Sequence, residues 1–103
     1  MNLTYPTALV LQALANGYHY GFDVMDVTGL PSGTVYPILR RLDREGWVKS
    51  HWEKEEVAHR EQRPSRRYYD ITALGRKHLG EALARLRALE ARRLKPVPAR
   101  SQG

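Results

Sequence analysis

The sequence contains no cysteine, only one phenylalanine and no long apolar run, and these absences exclude several classes of protein. Without cysteine there is no disulfide framework, no thiolate metal site and no thiol nucleophile. The apolar run from Ala8 to Ala15 is interrupted by Gln12, whereas a helix that spans a bilayer needs roughly 18–20 apolar residues. The N-terminus lacks the basic segment of a secretory signal peptide. We therefore expect a soluble intracellular protein with no membrane partner.

The chain is strongly basic. Its 103 residues include 17 Lys+Arg against 11 Asp+Glu, which gives a formal net charge of +6 and a pI near 10.0. Such a balance favours an anionic partner, and nucleic acid is the most common one. The hydrophobic fraction of 42% supports one modest core in a single small domain. A second copy of the chain would add buried apolar area.

The segment from Gly21 to Val48 has the pattern of a helix, a glycine turn and a second helix, which is the helix-turn-helix motif. The first helix is predicted from Gly21 to Val27, and Gly29 lies in the turn, where a positive φ is cheapest for glycine. The second helix is predicted from Ser32 to Glu45. At about 100° per residue, its apolar residues form one stripe that faces the core: Val35, Ile38, Leu39 and Leu42.

The opposite face of the second helix is rich in arginine and contains no carboxylate. Small residues at its start allow the free backbone N–H groups of the helix to approach a phosphate. This combination is typical of a helix that lies in a DNA major groove. The residues predicted to contact DNA are Ser32, Gly33, Thr34, Tyr36, Pro37, Arg40, Arg41 and Arg44.

Within this face, Arg40 is placed to pair with guanine O6 and N7. Arg41 and Arg44 lie nearer the edge, and we expect them to contact phosphates. For each of these arginines alone a solvated surface charge is the favoured interpretation, and it is their shared face, together with the basic wing, that favours DNA. Pro37 removes one helical hydrogen bond, so it either kinks this helix on its exposed side or marks the true helix start.

Two short β-prone segments follow and predict a β-hairpin, or wing. The strands are expected at Trp47 to Trp52 and at Arg67 to Ile71, joined by a long charged loop from Glu53 to Ser65. Tyr68 and Tyr69 point to opposite faces, so one is predicted to lie in the core and the other to contact DNA or a helix. Three arginines of the returning edge are predicted to contact phosphates or a narrowed minor groove: Arg63, Arg66 and Arg67.

Two longer helices flank this unit. The first is predicted from Thr4 to Asn16, and because it is apolar on more than one face, either a partner subunit or the rest of the chain must cover it. The last helix is predicted from an N-cap at Thr72 to about Leu94. Its single stripe favours a second copy of the chain, the competing interpretation being a helix that lies back on the first one. The expected dimer interface comprises Leu9, Leu79, Ala82, Leu83, Leu86 and Leu89.

No catalytic or metal site is indicated. The histidines show no ligand spacing, no serine has a His/Asp grouping around it, and no glycine-rich phosphate loop is present. We therefore predict that the protein is not an enzyme and needs neither a metal nor another cofactor.

Three stretches resemble the PadR family of bacterial transcriptional regulators. GYHYGFDVMDVTGLPSGTVYPILRRLDREGWV is similar to the family's helix-turn-helix, with its Tyr-Pro and Leu-Arg-Arg-Leu arrangement. RPSRRYYDITALGRKHL is similar to the returning wing strand and the start of the last helix, and LTYPTALVLQALANG is similar to the first helix. Together they cover Leu3 to about Leu79.

The resemblance implies a homodimer, formed through the last and first helices, that binds a pseudo-palindromic operator in double-stranded DNA. Family members are usually repressors that a small-molecule effector, such as a phenolic acid or a lipophilic drug, releases from DNA. The short C-terminal part resembles the subfamily with a single dimerisation helix. That helix has no aromatic residue between Ala73 and Leu94, which argues against a flat, aromatic-stacking drug pocket.

The predicted fold is therefore mostly α with a small β-hairpin. Residues 1–71 are expected to form a winged helix-turn-helix domain, residues 72–94 a dimerisation helix, and residues 95–103 a disordered tail. The predicted function is that of a dimeric, sequence-specific regulator in the bacterial cytoplasm, associated with the nucleoid. The alternative is a winged-helix protein-interaction module that does not bind specific DNA.

Overall fold

The structure, a computed structural model, describes residues 3–93. This part of the chain is mostly helical with one two-stranded antiparallel hairpin, which confirms the predicted fold class. Leu94 and the expected tail, residues 95–103, lie outside the described residues. The elements in chain order are α1 Tyr5–Ala15, α2 Gly21–Thr28, α3 Ser32–Arg44, β1 Val48–Trp52, α4 Glu55–Arg60, β2 Arg67–Ile71 and α5 Ala73–Arg93.

The core lies between α1 and α3, and α2, the hairpin and α5 close it. The four residues of the predicted α3 stripe are all buried, as expected from their spacing. Five of the eleven residues of α1 are buried by its own chain. The fully buried side chains that form the centre are Val10, Leu11, Leu14, Val24, Val35, Leu39, Leu42 and Val48.

The helix boundaries follow from local chemistry. Thr4 caps α1 by accepting a hydrogen bond from the Thr7 backbone N–H at 3.4 Å. Gly29 ends α2 with a φ of 74°, the left-handed conformation that the sequence predicted there. The N-cap of α3 is Pro31, and Pro37 lies inside the helix, six residues after the cap. The interpretation in which Pro37 starts the helix is therefore wrong.

The wing differs from the prediction in its connection. The expected charged loop contains the short helix α4, which buries Ala58. Two acidic residues in its first turn, Glu55 and Glu56, and basic residues in its last turn complement the helix dipole. The two predicted strands do pair, with β1 beginning at Val48 rather than Trp47, and the register places Ser50 opposite Tyr69 and Trp52 opposite Arg67.

The last helix is attached firmly to the domain before it projects outward. Thr72 caps it by accepting a hydrogen bond from Gly75 N–H at 3.1 Å. Leu79 is 5% exposed and belongs to the same core cluster as α1 and α3. Within residues 3–93, no helix is long and apolar enough to cross a membrane.

Candidate nucleic-acid interface

The exposed side of α3 is a continuous basic surface. Arg40, Arg41 and Arg44 are all exposed, as are the small residues Ser32 and Gly33 at the start of the helix. Across the described residues, none of the three arginines forms an ion pair with a carboxylate. The structure therefore brings together the α3 residues that the sequence predicted, and it leaves their charges available to an anion.

The one acidic residue of α3, Asp43, lies at the edge of this surface and lines the groove beside the arginines. Asp43 accepts a hydrogen bond from the Ser50 hydroxyl of β1 at 2.8 Å, so its carboxylate faces the wing. Thr34 and Pro37 are half-buried, and Pro37 adjoins the three arginines in a shallow surface groove. The exposed face of α3 thus consists of cations, small residues, Tyr36 and one proline, with Asp43 at its edge.

Tyr36 occupies a fixed place between α3 and α2. Its ring lies directly on Gly21: a Cβ atom at position 21 would come within 2.8 Å of Tyr36 Cζ. Glycine at the start of α2 is therefore needed for this contact. Tyr36 is 38% exposed, and its ring forms one wall of an open cleft between α2, α3 and β2. The cleft has a volume of ≈ 410 Å³ and is lined by Tyr20, Gly21, Phe22, Asp23, Tyr36, Arg66, Arg67 and Tyr69.

The three wing arginines, whose predicted roles were the same, have different partners in the structure. Arg63 donates to both carboxylate oxygens of Glu53, with Nη2 to Oε2 at 2.9 Å, in a bidentate ion pair. Glu53 is 5% exposed, and the hydrogen bond from Arg63 lowers its carboxyl pKa from 4.5 to about 2. This cation is therefore paired with an anion inside the wing, which argues against the phosphate contact that remains a prediction for Arg63.

Arg66 remains exposed and rests on an aromatic support. Its guanidinium lies 4.7 Å from the centroid of the Tyr20 ring, a cation–π contact. The Tyr20 hydroxyl donates to the Tyr68 hydroxyl, which in turn donates to Glu53 Oε2 at 3.0 Å. These bonds, chiefly the one with Tyr20, raise the pKa of Tyr68. A chain of hydrogen bonds therefore connects the buried Glu53 to the support beneath Arg66.

Arg67 is half-buried and held from two sides. Its Nη2 donates to the Ser50 hydroxyl at 2.8 Å, and its guanidinium lies 5.1 Å from the Trp52 ring centroid. Tyr69 is the strand residue that enters the core, at 7% exposure, whereas Tyr68 faces Tyr20. Tyr69 is therefore the core residue of the pair, and a DNA contact of Tyr68 stays a prediction.

Sequence reasoning missed the residues that hold these cations, namely Asp43, Ser50, Glu53 and Tyr20. Only the strand register places Ser50 beside Arg67, and the loop that brings Glu53 to Arg63 was not predicted to be ordered. One available signal was the even spacing of Ser50 and Trp52 on β1, which puts both side chains on the face of the hairpin that carries Arg67.

The leucines of α5 expected at a dimer interface fall into two groups. Leu79 lies in the core of its own chain, and Leu83 packs against that core. Leu86 and Leu89 are 41% and 54% exposed. They border a groove of ≈ 210 Å³ between α5 and α1, whose lining also includes Ala82, Leu83, Leu3, Thr4, Tyr5, Ala8 and Arg85. Leu9 is half-buried on α1.

Solved structures of bacterial regulators share this architecture. A PadR-like transcription factor from Bacteroides fragilis is 26% identical, with a TM-score of 0.70 over 82% of each chain. A PadR family transcription regulator from Clostridium difficile is 22% identical, with a TM-score of 0.74 over 85% of this chain and 93% of its own. Bacillus subtilis PadR in complex with operator DNA is 17% identical, with a TM-score of 0.67 over 99% of this chain and 55% of its own.

No curated protein matches the sequence. The sequence pattern of the Transcriptional regulator PadR-like family, by contrast, matches residues 10–81, from the middle of α1 through the first turns of α5. This match spans well over half of the chain and includes the helix-turn-helix, the whole wing and the anchored start of the last helix. The chain belongs to the PadR-like family of transcriptional regulators.

Proposed function

We propose that this regulator binds a specific, pseudo-palindromic operator as a homodimer and represses transcription from it. The observation that carries the proposal is the basic surface of α3, where Arg40, Arg41 and Arg44 are exposed and have no carboxylate partner among the described residues. Arginines on one exposed helix face can pair with guanines and phosphates in a major groove. B. subtilis PadR, of the same fold, is known in complex with operator DNA.

We assign the contacts by position. Arg40, in the middle of the surface, pairs with a base edge. Arg41, Arg44, Arg66 and Arg67 contact phosphates, and the small residues at Ser32 and Gly33 let the start of α3 approach the backbone. Tyr36 shares the cleft between α2, α3 and β2 with Arg66 and Arg67.

The dimer is proposed to form through the exposed part of α5 together with α1. Leu86 and Leu89 are large apolar residues in solvent, and they adjoin the 68% exposed Tyr5 across the groove between the two helices. A second copy of the chain would bury this apolar surface. Two-fold symmetry would then place the two α3 helices on half-sites about one helical turn of DNA apart, or a multiple of it. The proposed organisation is a reading unit at residues 1–71 and a dimerisation helix at 72–94.

Repression and its release by a small-molecule effector are proposed on family grounds. An effector would have to bind the DNA-free arrangement of the dimer more tightly than the DNA-bound one, since only differential affinity shifts such an equilibrium.

Selection of bound duplexes from a random DNA pool tests the proposal directly. We expect an enriched pseudo-palindrome, and Arg40→Ala should weaken binding to it by roughly 1–3 kcal/mol and relax specificity at one base pair per half-site. Arg92→Ala, which removes an exposed arginine at the far end of α5, is the matched control. A protein that ignores duplex DNA at about 50 mM salt would instead be a protein-interaction module.

A further inference from the structure

We propose that Ser50 is a positioning residue for DNA binding, because its hydroxyl joins Asp43 of the reading helix to Arg67 of the wing. The inference rests on the proposed function. It concerns a residue that contacts no DNA itself and acts on DNA through the arginine that it holds.

The geometry of the connection is direct. Ser50 Oγ donates to Asp43 Oδ2 at 2.8 Å, and Arg67 Nη2 donates to the same Ser50 Oγ at 2.8 Å. A hydroxyl group can donate and accept at once, which neither an aliphatic side chain nor a carboxylate can do. Serine therefore suits a position between an acceptor on α3 and a donor on β2.

The charges at the two ends strengthen the connection. Asp43 is an anion and Arg67 a cation, so both hydrogen bonds of Ser50 are charge-assisted and each polarises the other. Tyr69, opposite Ser50 in the hairpin, is affected by both groups: burial chiefly raises its pKa, while Arg67 lowers it and Asp43 raises it. The two charged groups thus meet at one point between α3 and the wing.

The consequence for binding is preorganisation. Arg67 is fixed by Ser50 on one side and by the Trp52 ring on the other before any ligand arrives. Because Asp43 belongs to α3, this contact sets the distance between the wing cation and the arginines of the reading helix. Within residues 3–93, the guanidinium of Arg66 contacts the Tyr20 ring and forms no hydrogen bond with α3.

A double-mutant cycle tests the proposal. Dissociation constants for the selected duplex are measured with the full chain, with Ser50→Ala, with Arg67→Ala and with the double variant, at several salt concentrations. Ser50→Ala should weaken binding about fivefold, the effect expected from losing one hydrogen bond. In the Arg67→Ala background the same change should have no effect, since Ser50 acts through Arg67. Ser50→Thr, which keeps the hydroxyl, should restore binding.

A second measurement needs no DNA. The indole N–H resonance of Trp52 should shift in Arg67→Ala, and Ser50→Ala should reproduce part of that shift because the guanidinium leaves the ring. Equal losses of affinity from Ser50→Ala in both backgrounds, or an unchanged Trp52 resonance, would overturn the positioning role while DNA binding by the unaltered chain stands. Absence of DNA binding by the unaltered chain would overturn the proposed function and this inference together.

Discussion

The attachment of α5 to the rest of the domain depends on Gly75, and we predict that Gly75→Ala strongly destabilises the fold. A Cβ atom at this position would lie 2.9 Å from Ile71 Cγ1 and 3.0 Å from the Trp47 carbonyl carbon, and closer still to the carbonyl oxygen. Ordinary van der Waals contact begins at about 3.4 Å. Because the obstacle is backbone, α5 must move away from the turn between α3 and β1.

The magnitude follows from three contributions. Overpacking of this kind costs roughly 1–3 kcal/mol. The Trp47 carbonyl also accepts hydrogen bonds from Thr72 N at 2.9 Å and Thr72 Oγ1 at 3.0 Å. A shift of α5 weakens both of them, each worth about 1 kcal/mol. Alanine recovers about 1 kcal/mol through its higher helix propensity. We therefore expect a net loss of about 2–4 kcal/mol.

Urea denaturation followed by circular dichroism measures this loss, at one fixed protein concentration because association with a second copy affects apparent stability. Gly80→Ala is the matched control. It lies on the same helix with nothing within 4 Å of the added Cβ, so it should stabilise the protein by about 1 kcal/mol. If Gly75→Ala were as stable as the unaltered protein, or stabilised it as Gly80→Ala should, the close approach of α5 to Trp47 would be refuted.

Three further predictions concern the wing and the dimer. The pKa of Glu53 is about 2 in the fold against 4.5 ordinarily, so the stabilisation by its carboxylate is complete above pH 4.5 and is lost as the pH falls toward 2. Glu53→Gln should reduce this acid sensitivity of the free energy of unfolding, measured by urea titration at several pH values. An unchanged pH dependence in the variant would contradict the prediction. Arg66→Ala should lower the salt slope of DNA binding by about one unit, whereas Arg63→Ala should leave it unchanged; equal slopes in the two variants would show that Arg63 also reaches a phosphate. Leu86→Arg should convert dimers to monomers in light scattering at micromolar concentration, while Leu74→Arg, an exposed leucine at the other end of α5, should not.

Local sequence signals predicted every helix of residues 3–93 except α4. The α3 stripe, the glycine turn after α2 and the N-caps at Thr4 and Thr72 are all local signals, and the structure contains each of them. The helix α4 was missed because its six residues are too few for an apolar period to show. Its presence depends on burial of Ala58 and on the charges at its ends rather than on a repeated pattern.

The candidate site was predictable on α3 and only partly so in the wing. On a helix, sequence spacing alone decides which side chains share a face, so Arg40 and Arg44 could be placed together. In a hairpin, neighbours come from distant parts of the chain: Glu53 reaches Arg63, and Ser50 reaches Arg67. Three arginines that look alike in the sequence therefore have different environments. Arg63 is ion-paired with Glu53, Arg66 lies on the Tyr20 ring, and Arg67 is held by Ser50 and Trp52.

The anchoring of α5 also bears on how an effector would act on the proposed dimer. Trp47 follows the end of α3 almost directly, and its carbonyl lies against Gly75 of α5. Leu79, one turn further, belongs to the same core as the α3 stripe. These contacts join α3 rigidly to the start of α5. A ligand that separates or rotates the two α5 helices of the dimer would therefore move each α3 together with its α5. We therefore expect an effector to change the distance between two intact reading units rather than the shape of either one.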